Sequence, residues 1–268
     1  MASAVFGPAT FCAVTGGSRG LGRSIAVLLA GRLGQGSRLV LTADGRSLQG
    51  LQETKRQVEE KSPNQLEVKL VTGDMEDSAA YHEHFCDIFA NAQQGAFKNA
   101  FIIHNAATLG DGTKKASEHS DPQILTKYYA ANLTSAIALT SNFMKVFPSA
   151  AVRRIVVNIT SDSAIHPLPN HSLYCSGKAA RNMFFKVMAE EDPDVRVLSY
   201  SPGPLDTDML QAVRTCGNKG VEDLLTSMES SGMILTPDHS AEHLLKLLEE
   251  DKFQSGDFVD IFNMDYST

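Results

Sequence analysis

Apolar residues recur along this chain in short runs separated by stretches of helical periodicity. Thr10–Val14, Arg38–Leu41, Leu66–Val71, Asn99–His104, Arg154–Ile159, Val195–Tyr200 and Phe258–Ile261 are short, rich in β-branched or aromatic residues, and read as strands. Between them, Leu21–Leu33, Leu48–Lys61, Ala79–Asn91, Pro122–Phe147, Ser172–Glu191 and Ala241–Leu248 place apolar residues on one side of a helix. Asn132 is a poor helix former inside the fourth of these and predicts a break there. From Pro202-Gly203-Pro204 to about Pro237 the pattern lapses, and an irregular stretch is expected.

Strands alternating with helices argue for right-handed βαβ crossovers. The expected fold class is α/β: a single Rossmann-type doubly wound parallel sheet of about seven strands, with helices on both faces, over residues 1–268. Residues 203–237 would form a substrate-binding loop region within it. Such sheets bind ligands outside the carboxyl ends of their strands, so residues just after each strand become the candidates for chemistry.

Composition narrows the classes. The 268 residues are 43% hydrophobic and 21% charged, an ordinary globular balance. A formal net charge of -7 disfavours nucleic acid or an anionic membrane surface as main partner. The four cysteines, Cys12, Cys86, Cys175 and Cys216, form no CxxC pair, so neither a metal site nor a disulfide framework is expected. The N-terminal stretch has no basic region, and no apolar run reaches the roughly 18 residues of a membrane helix. A cytoplasmic setting is expected.

Thr15-Gly16-Gly17-Ser18-Arg19-Gly20-Leu21-Gly22 joins the first strand to the first helix. Gly16 can make the tight turn, Gly20 lets backbone approach a pyrophosphate, and Gly22 lets helix and sheet pack closely. The free N–H groups and positive dipole end of the helix suit an anion. Further along, Tyr174 and Lys178 lie four apart and project from one helix face. A phenol of ordinary pKa about 10 is a poor acid at neutral pH. A neighbouring ammonium favours the phenolate, so the pair can protonate a developing alkoxide. Ser161 ends the strand Ile155–Ile159 and could hold a carbonyl oxygen beside Tyr174, and Asn132 could hold a water in a proton relay to Lys178. Taken singly, a glycine-rich turn, two surface residues, a serine cap and a helix break explain these features as well.

Together they do not stand singly. Thr15-Gly16-x-x-x-Gly20-x-Gly22, Asn105-Ala106-Ala107, Asn132, Ser161, Tyr174-x-x-x-Lys178 and Pro202-Gly203 occur in the order and approximate spacing of the short-chain dehydrogenase/reductase family. The chain resembles that family over nearly its whole length. The resemblance implies hydride chemistry with Tyr174 as acid, Ser161 as its partner, Lys178 on the nicotinamide ribose, and Asn132 completing a tetrad. It implies cofactor contacts at Gly16, Ser18, Arg19, Gly20, Leu21, Gly22, Asp74, Met75, Asn105, Ala106, Ala107, Pro202, Gly203, Leu205, Thr207 and Met209. Thr207 would hold the nicotinamide carboxamide.

Cofactor choice rests on the end of the second strand. Ala43 stands where NAD-binding members carry an acid, and Arg19 is placed for a 2′-phosphate; both favour NADP(H). The chain departs from the pterin-reducing branch of the family at Asp44, which stands where an arginine is usual there, and Arg46 could supply that charge after a shift of one residue. Within the family, Asn105–Asp111, Leu173–Arg181, Tyr200–Met209 and the stretch from Phe253 to Asp260 resemble the pterin-reducing branch. That branch implies NADPH-dependent reduction of pterin side-chain carbonyls in tetrahydrobiopterin synthesis, with Asp260 anchoring the aminopyrimidine edge. Ser161, Tyr174, Gly203, Met209 and His171 would line the pocket. The chain departs again at His171, where tryptophan is frequent. A broader carbonyl reductase, or a non-catalytic NADP-binding sensor on the same fold, are the alternatives. The family's habit also implies a homodimer formed through the helices at 122–147 and 172–191.

Overall fold

A computed structural model of the chain describes residues 5–62, 66–92, 97–148 and 152–263. Its frame is one parallel sheet of seven strands in the order β3-β2-β1-β4-β5-β6-β7. The strands are β1 (Thr10–Thr15), β2 (Arg38–Ala43), β3 (Glu67–Thr72), β4 (Asn99–His104), β5 (Arg153–Ile159), β6 (Val195–Ser201) and β7 (Asp257–Asp260). Every pairing is parallel. Strands of this kind are covered on both faces, and β1 is buried along its whole length. Cys12 and Val14 face one apolar layer with Ile25, Leu29 and Leu244. Phe11 and Ala13 face the other with Phe89, Phe143 and Phe185.

The first layer holds α1 (Gly20–Ala30), α2 (Leu48–Lys61) and α9 (Pro237–Glu250). The second holds α3 (Tyr81–Ile88), α5 (Ser135–Val146) and α6 (Ser172–Glu191). Helix α4 (Pro122–Tyr129) runs into α5 through one π-helical turn at Ala130–Thr134, with the expected break at Asn132 at its centre. Local chemistry sets the helix starts. The Asp121 carboxylate accepts from Gln123 N at 2.8 Å with Pro122 in the first turn, and Thr236 caps α9 ahead of Pro237 in the same way. Each such cap contributes about 1 kcal/mol.

The expected seven-stranded doubly wound sheet is present, with element ends shifted by one to a few residues. Helix α3 is shorter than the stretch Ala79–Asn91, because Asn91 turns left-handed at φ 58°. Residues 203–237 are not irregular. They contain α7 (Asp208–Arg214) and α8 (Lys219–Ser230), which close a small apolar cluster of Leu210, Val213, Cys216, Val221 and Leu225. The Asn218 side chain starts α8 by accepting from Gly220 N at 3.0 Å. Their apolar faces are too narrow to show as periodicity. Asp206 N to Leu235 O and Leu235 N to Pro204 O, both 2.9 Å, fasten this helical pair to the frame.

Candidate active site

The strand order reverses between β1 and β4, and the crevice at their carboxyl ends is where a doubly wound sheet binds its ligand. Gly16 leaves β1 at φ 68° and turns the chain there. Asn105, just past β4, donates from Nδ2 to the carbonyls of Thr15 (3.0 Å) and Gly16 (3.1 Å). The Thr15 hydroxyl in turn accepts from the N–H groups of Asn105 and Ala106, both at 3.0 Å. Ala107 continues this strap. Gly22 closes the crevice floor: a Cβ there would stand 2.2 Å from Gly16 O, so helix α1 rests directly on the turn. No side chain caps α1 and no acid lies in its first turn. Its free N–H groups suit a pyrophosphate, and the cradle fits a dinucleotide. Ser18 and Leu21 are buried beside it, the Ser18 carbonyl held by Arg23 Nη2 at 2.5 Å.

At the adenine end, Ala43 closes β2 with its carbonyl accepting from Gly73 N at 3.1 Å. Asp74 Oδ1 accepts from Glu76 N at 2.8 Å, and the Met75 carbonyl accepts from Tyr81 Oη at 2.9 Å. Arg46 is not a free cation here. Its Nε lies 2.8 Å from Asp44 Oδ1, and that bond holds the Asp44 carboxyl below its ordinary pKa. The expected substitute for the missing arginine is thus paired with the acid that replaced it. Arg19, with 73% of its side chain exposed, pairs with Asp208 of α7 at 2.5 Å. Exposed pairs of this kind are weak and are readily exchanged for a phosphate.

The catalytic candidates converge. Ser161 lies two residues past β5, not on it, with extended backbone, and its Oγ accepts from Ser163 N at 3.1 Å. Its hydroxyl also meets the Tyr174 phenol. Burial raises the Tyr174 pKa, and the Ser161 bond and the Arg181 cation oppose that rise. Lys178 Nζ lies 5.6 Å from the Tyr174 ring centroid and donates to Ile159 O at 2.7 Å. Burial first, and the Arg181 charge second, hold the lysine well below its ordinary pKa. Asn132 is buried in the π turn, where Oδ1 accepts from Thr108 N at 2.8 Å and Nδ2 donates to Tyr128 O at 2.9 Å. Its main-chain carbonyl accepts from Arg181 Nη1 at 3.4 Å. Arg181 is a residue that motif spacing did not single out. Its signal was a charge at the seventh position after Tyr174, on the core-facing stripe of α6.

The residues expected to meet substrate lie largely around the ends of β6 and β7. Gly203 takes φ 74° against Ile261 and Phe262, and the Pro202 carbonyl accepts from Ser240 Oγ at 3.0 Å. Leu205 bridges to Leu235, and the Thr207 methyl faces Gly20 across the crevice. Met209 is 37% exposed on α7. Asp260, 8% exposed, accepts from Ser201 Oγ at 2.6 Å and from Phe262 N at 2.9 Å. His171 departs from the expectation of a pocket wall. It is 1% exposed, its Nδ1 faces Pro169 O at 2.9 Å, and its ring underlies Gly112. It acts as a strut beneath the loop before α4.

A phenol, a hydroxyl and a buried lysine meeting beside a dinucleotide cradle define an oxidoreductase that acts on carbonyl and alcohol groups. The nicotinamide cofactor that such a cradle holds supplies the hydride. The family model of the short chain dehydrogenases matches residues 10–216, and the chain belongs to that family. Sepiapterin reductase of Bos taurus is 39% identical over 259 residues, covering 95% of each chain. A benzil reductase, (S)-benzoin forming, of Bacillus subtilis is 30% identical over 88% of this chain and 92% of its own. Among solved structures, the angucycline C-6 ketoreductase LanV with bound NADP superposes with a TM-score of 0.76 at 19% identity, covering 95% of each chain. Among the described residues, no helix is long and apolar enough to cross a membrane.

Proposed function

We propose that this chain reduces the side-chain carbonyls of pterins, sepiapterin and 6-pyruvoyl-tetrahydropterin, with NADPH, in tetrahydrobiopterin synthesis. The observation that carries this reading is the end-to-end similarity to sepiapterin reductases, combined with a buried aspartate at the end of β7. Each Asp260 oxygen accepts one hydrogen bond from the chain itself and keeps a lone pair for a further donor. Two such acceptors side by side suit the donor edge of an aminopyrimidine. Tyr174 gives its proton to the carbonyl oxygen, Ser161 orients that oxygen, and Lys178 stabilises the resulting phenolate. Asn132 holds the π turn that supports Lys178, and its carbonyl is the acceptor for a relay water. Arg19 takes the 2′-phosphate when it exchanges Asp208 for it, and Ala43 leaves the phosphate room. The enzyme works in the cytoplasm as a homodimer. Its subunits pair through α4, α5 and α6, where Ile124, Met183 and Val187 are exposed.

The test is initial rates on sepiapterin with NADPH against NADH, for the parent and for Asp260→Ala. Pterin turnover with NADPH, lost in Asp260→Ala while a simple diketone is still reduced, is the expected outcome. Equal loss of both activities overturns the pterin-anchoring role. The benzil reductase relative supports a second reading, a broader diketone reductase. In that case the diketone is the better substrate of the parent enzyme.

A further inference from the structure

Arg181 is 2% exposed, among the largest fully buried side chains of the protein. Its guanidinium makes four hydrogen bonds, all to neutral acceptors. Nε donates to Asn158 Oδ1 at 2.9 Å and Nη2 to His104 O at 2.7 Å. Nη1 donates to Ala106 O at 3.3 Å and to Asn132 O at 3.4 Å. These acceptors come from β4, the strap after it, the π turn and β5, so one side chain gathers the walls of the active crevice. Among the described residues, no carboxylate forms an ion pair with it. Buried charges are ordinarily paired, and a cation left without an anion is costly.

The anion it lacks is one that the reaction makes. Tyr174, Lys178 and Arg181 fall at positions i, i+4 and i+7 of α6, one stripe of the helix. Side chains on a helix lean toward its N-terminus, so the Arg181 arm reaches back toward Tyr174. When Tyr174 gives up its proton to a substrate oxygen, its O–H bond breaks and a phenolate remains on the stripe that carries Lys178 and Arg181. Resting on the reading of Tyr174 as the acid, we propose that Arg181 is a positioning residue for that step: a buried cation that awaits the Tyr174 phenolate and braces the carbonyls around it.

The other titratable groups facing this site are Lys178 and Cys175 on α6, Tyr128 on α4 and His104 on β4. Their electrostatics agree with the assignment. Desolvation lowers the Arg181 pKa to about 10, and the groups that favour its charge are the phenols of Tyr174 and Tyr128. Its charge also depresses Lys178, which makes that ammonium a better donor for returning the proton to the phenolate. At neutral pH the guanidinium stays charged while lysine and phenol exchange a proton.

The test compares the parent with Arg181→Met, Arg181→Lys and Asn158→Asp. The last places a carboxylate on the Arg181 Nε partner and neutralises the cation without removing its packing. Two readouts are taken for each folded variant. One is the ultraviolet tyrosinate titration of the NADP-bound enzyme, with Tyr174→Phe subtracted to isolate the phenol at 174. The other is the pH profile of kcat/KM. Arg181→Met and Asn158→Asp should move the Tyr174 limb upward by about one pH unit, and Arg181→Lys should leave it near the parent's. A brace with no electrostatic part would lower kcat or stability with the limb in place, and that result overturns the proposal. So does a parent phenol that does not titrate before the protein unfolds. If Arg181→Met does not fold, Asn158→Asp decides. The titration needs no substrate, so it stands if the pterin reading fails. If Tyr174→Phe keeps its turnover, the acid assignment has failed, not the charge coupling.

Discussion

Gly22→Ala tests whether the dinucleotide cradle depends on contact between helix and turn. The added Cβ would lie 2.2 Å from Gly16 O, 2.6 Å from Asn105 Nδ2 and 2.9 Å from Gly16 C. The nearest and third-nearest of these atoms are backbone, so no rotamer change relieves the overlap; α1 or the turn must move by about 1 Å. Helix α1 packs on α2, α9 and β1, which limits its retreat. Overpacking of this kind costs about 1–3 kcal/mol. At about 2–4 °C per kcal/mol, Tm should fall by roughly 2–12 °C. A strain of about 1.4 kcal/mol expressed at the crevice weakens NADPH binding about tenfold. Gly45→Ala is the internal control, because a Cβ there has nothing within 4 Å. Calorimetry and a fluorescence titration of NADPH read both quantities. If Gly22→Ala matches Gly45→Ala in both, the cradle does not depend on that contact and the reasoning is refuted.

Two further outcomes follow from the electrostatics. Asp44→Ala releases Arg46 and removes a negative charge near the adenine end; in water, a unit charge about 6 Å away changes an affinity roughly threefold, so a phosphate dianion should bind about tenfold tighter. NADPH affinity should rise while NADH affinity holds, and equal changes in both would show that Asp44 does not face the 2′-phosphate. His104 is fully buried against Thr140 Oγ1 at 2.7 Å, and burial first, then the Arg181 charge, holds its pKa well below the ordinary value. Between that depressed value and about pH 6.5, only the unfolded chain takes the proton, so stability is full above about pH 6.5 and falls as pH drops. The slope from this group approaches about 1.4 kcal/mol per pH unit. Denaturant unfolding from pH 7 downward should show it, and His104→Gln should flatten it; an unchanged slope removes His104 as the cause. His84, lowered by burial in the same direction, contributes in both proteins.

What the sequence disclosed was set by local rules. The runs that became β1, β4, β5 and β6 are apolar because both faces of a parallel sheet are covered, so they stood out without alternation. The glycine turn was legible because its φ values and close approach exclude side chains. Helices α7 and α8 were not, since Leu210 with Val213 and Val221 with Leu225 are too few to make a period. The Asp44–Arg46 pair, the Arg19–Asp208 pair and the burial of His171 were also out of reach, because each depends on which way an arm turns after folding. Arg181 ends the Leu173–Arg181 stretch that resembles the pterin-reducing branch. Its role depends on four neutral acceptors, from β4, the strap after it, the π turn and β5, that only the folded chain brings around it.

The family match divides the chain in two. The short chain dehydrogenase model covers residues 10–216, which include the glycine turn, Asn132, Ser161, Tyr174 and Lys178. Helix α8, helix α9 and β7 with Asp260 lie beyond it. The sheet joins the two parts: β7 pairs with β6, and Ser201 of β6 holds the Asp260 carboxylate at 2.6 Å. A substrate anchored on Asp260 is therefore referenced to the same rigid sheet that carries Ser161 past the end of β5. Such shared rigidity is what holds reacting atoms in register. The helical pair α7–α8 is attached to that frame through the Leu205–Leu235 bridge, the Asn218–Asn170 hydrogen bond and packing on Leu109 and Leu168, and it touches the glycine turn through Arg19 and Asp208.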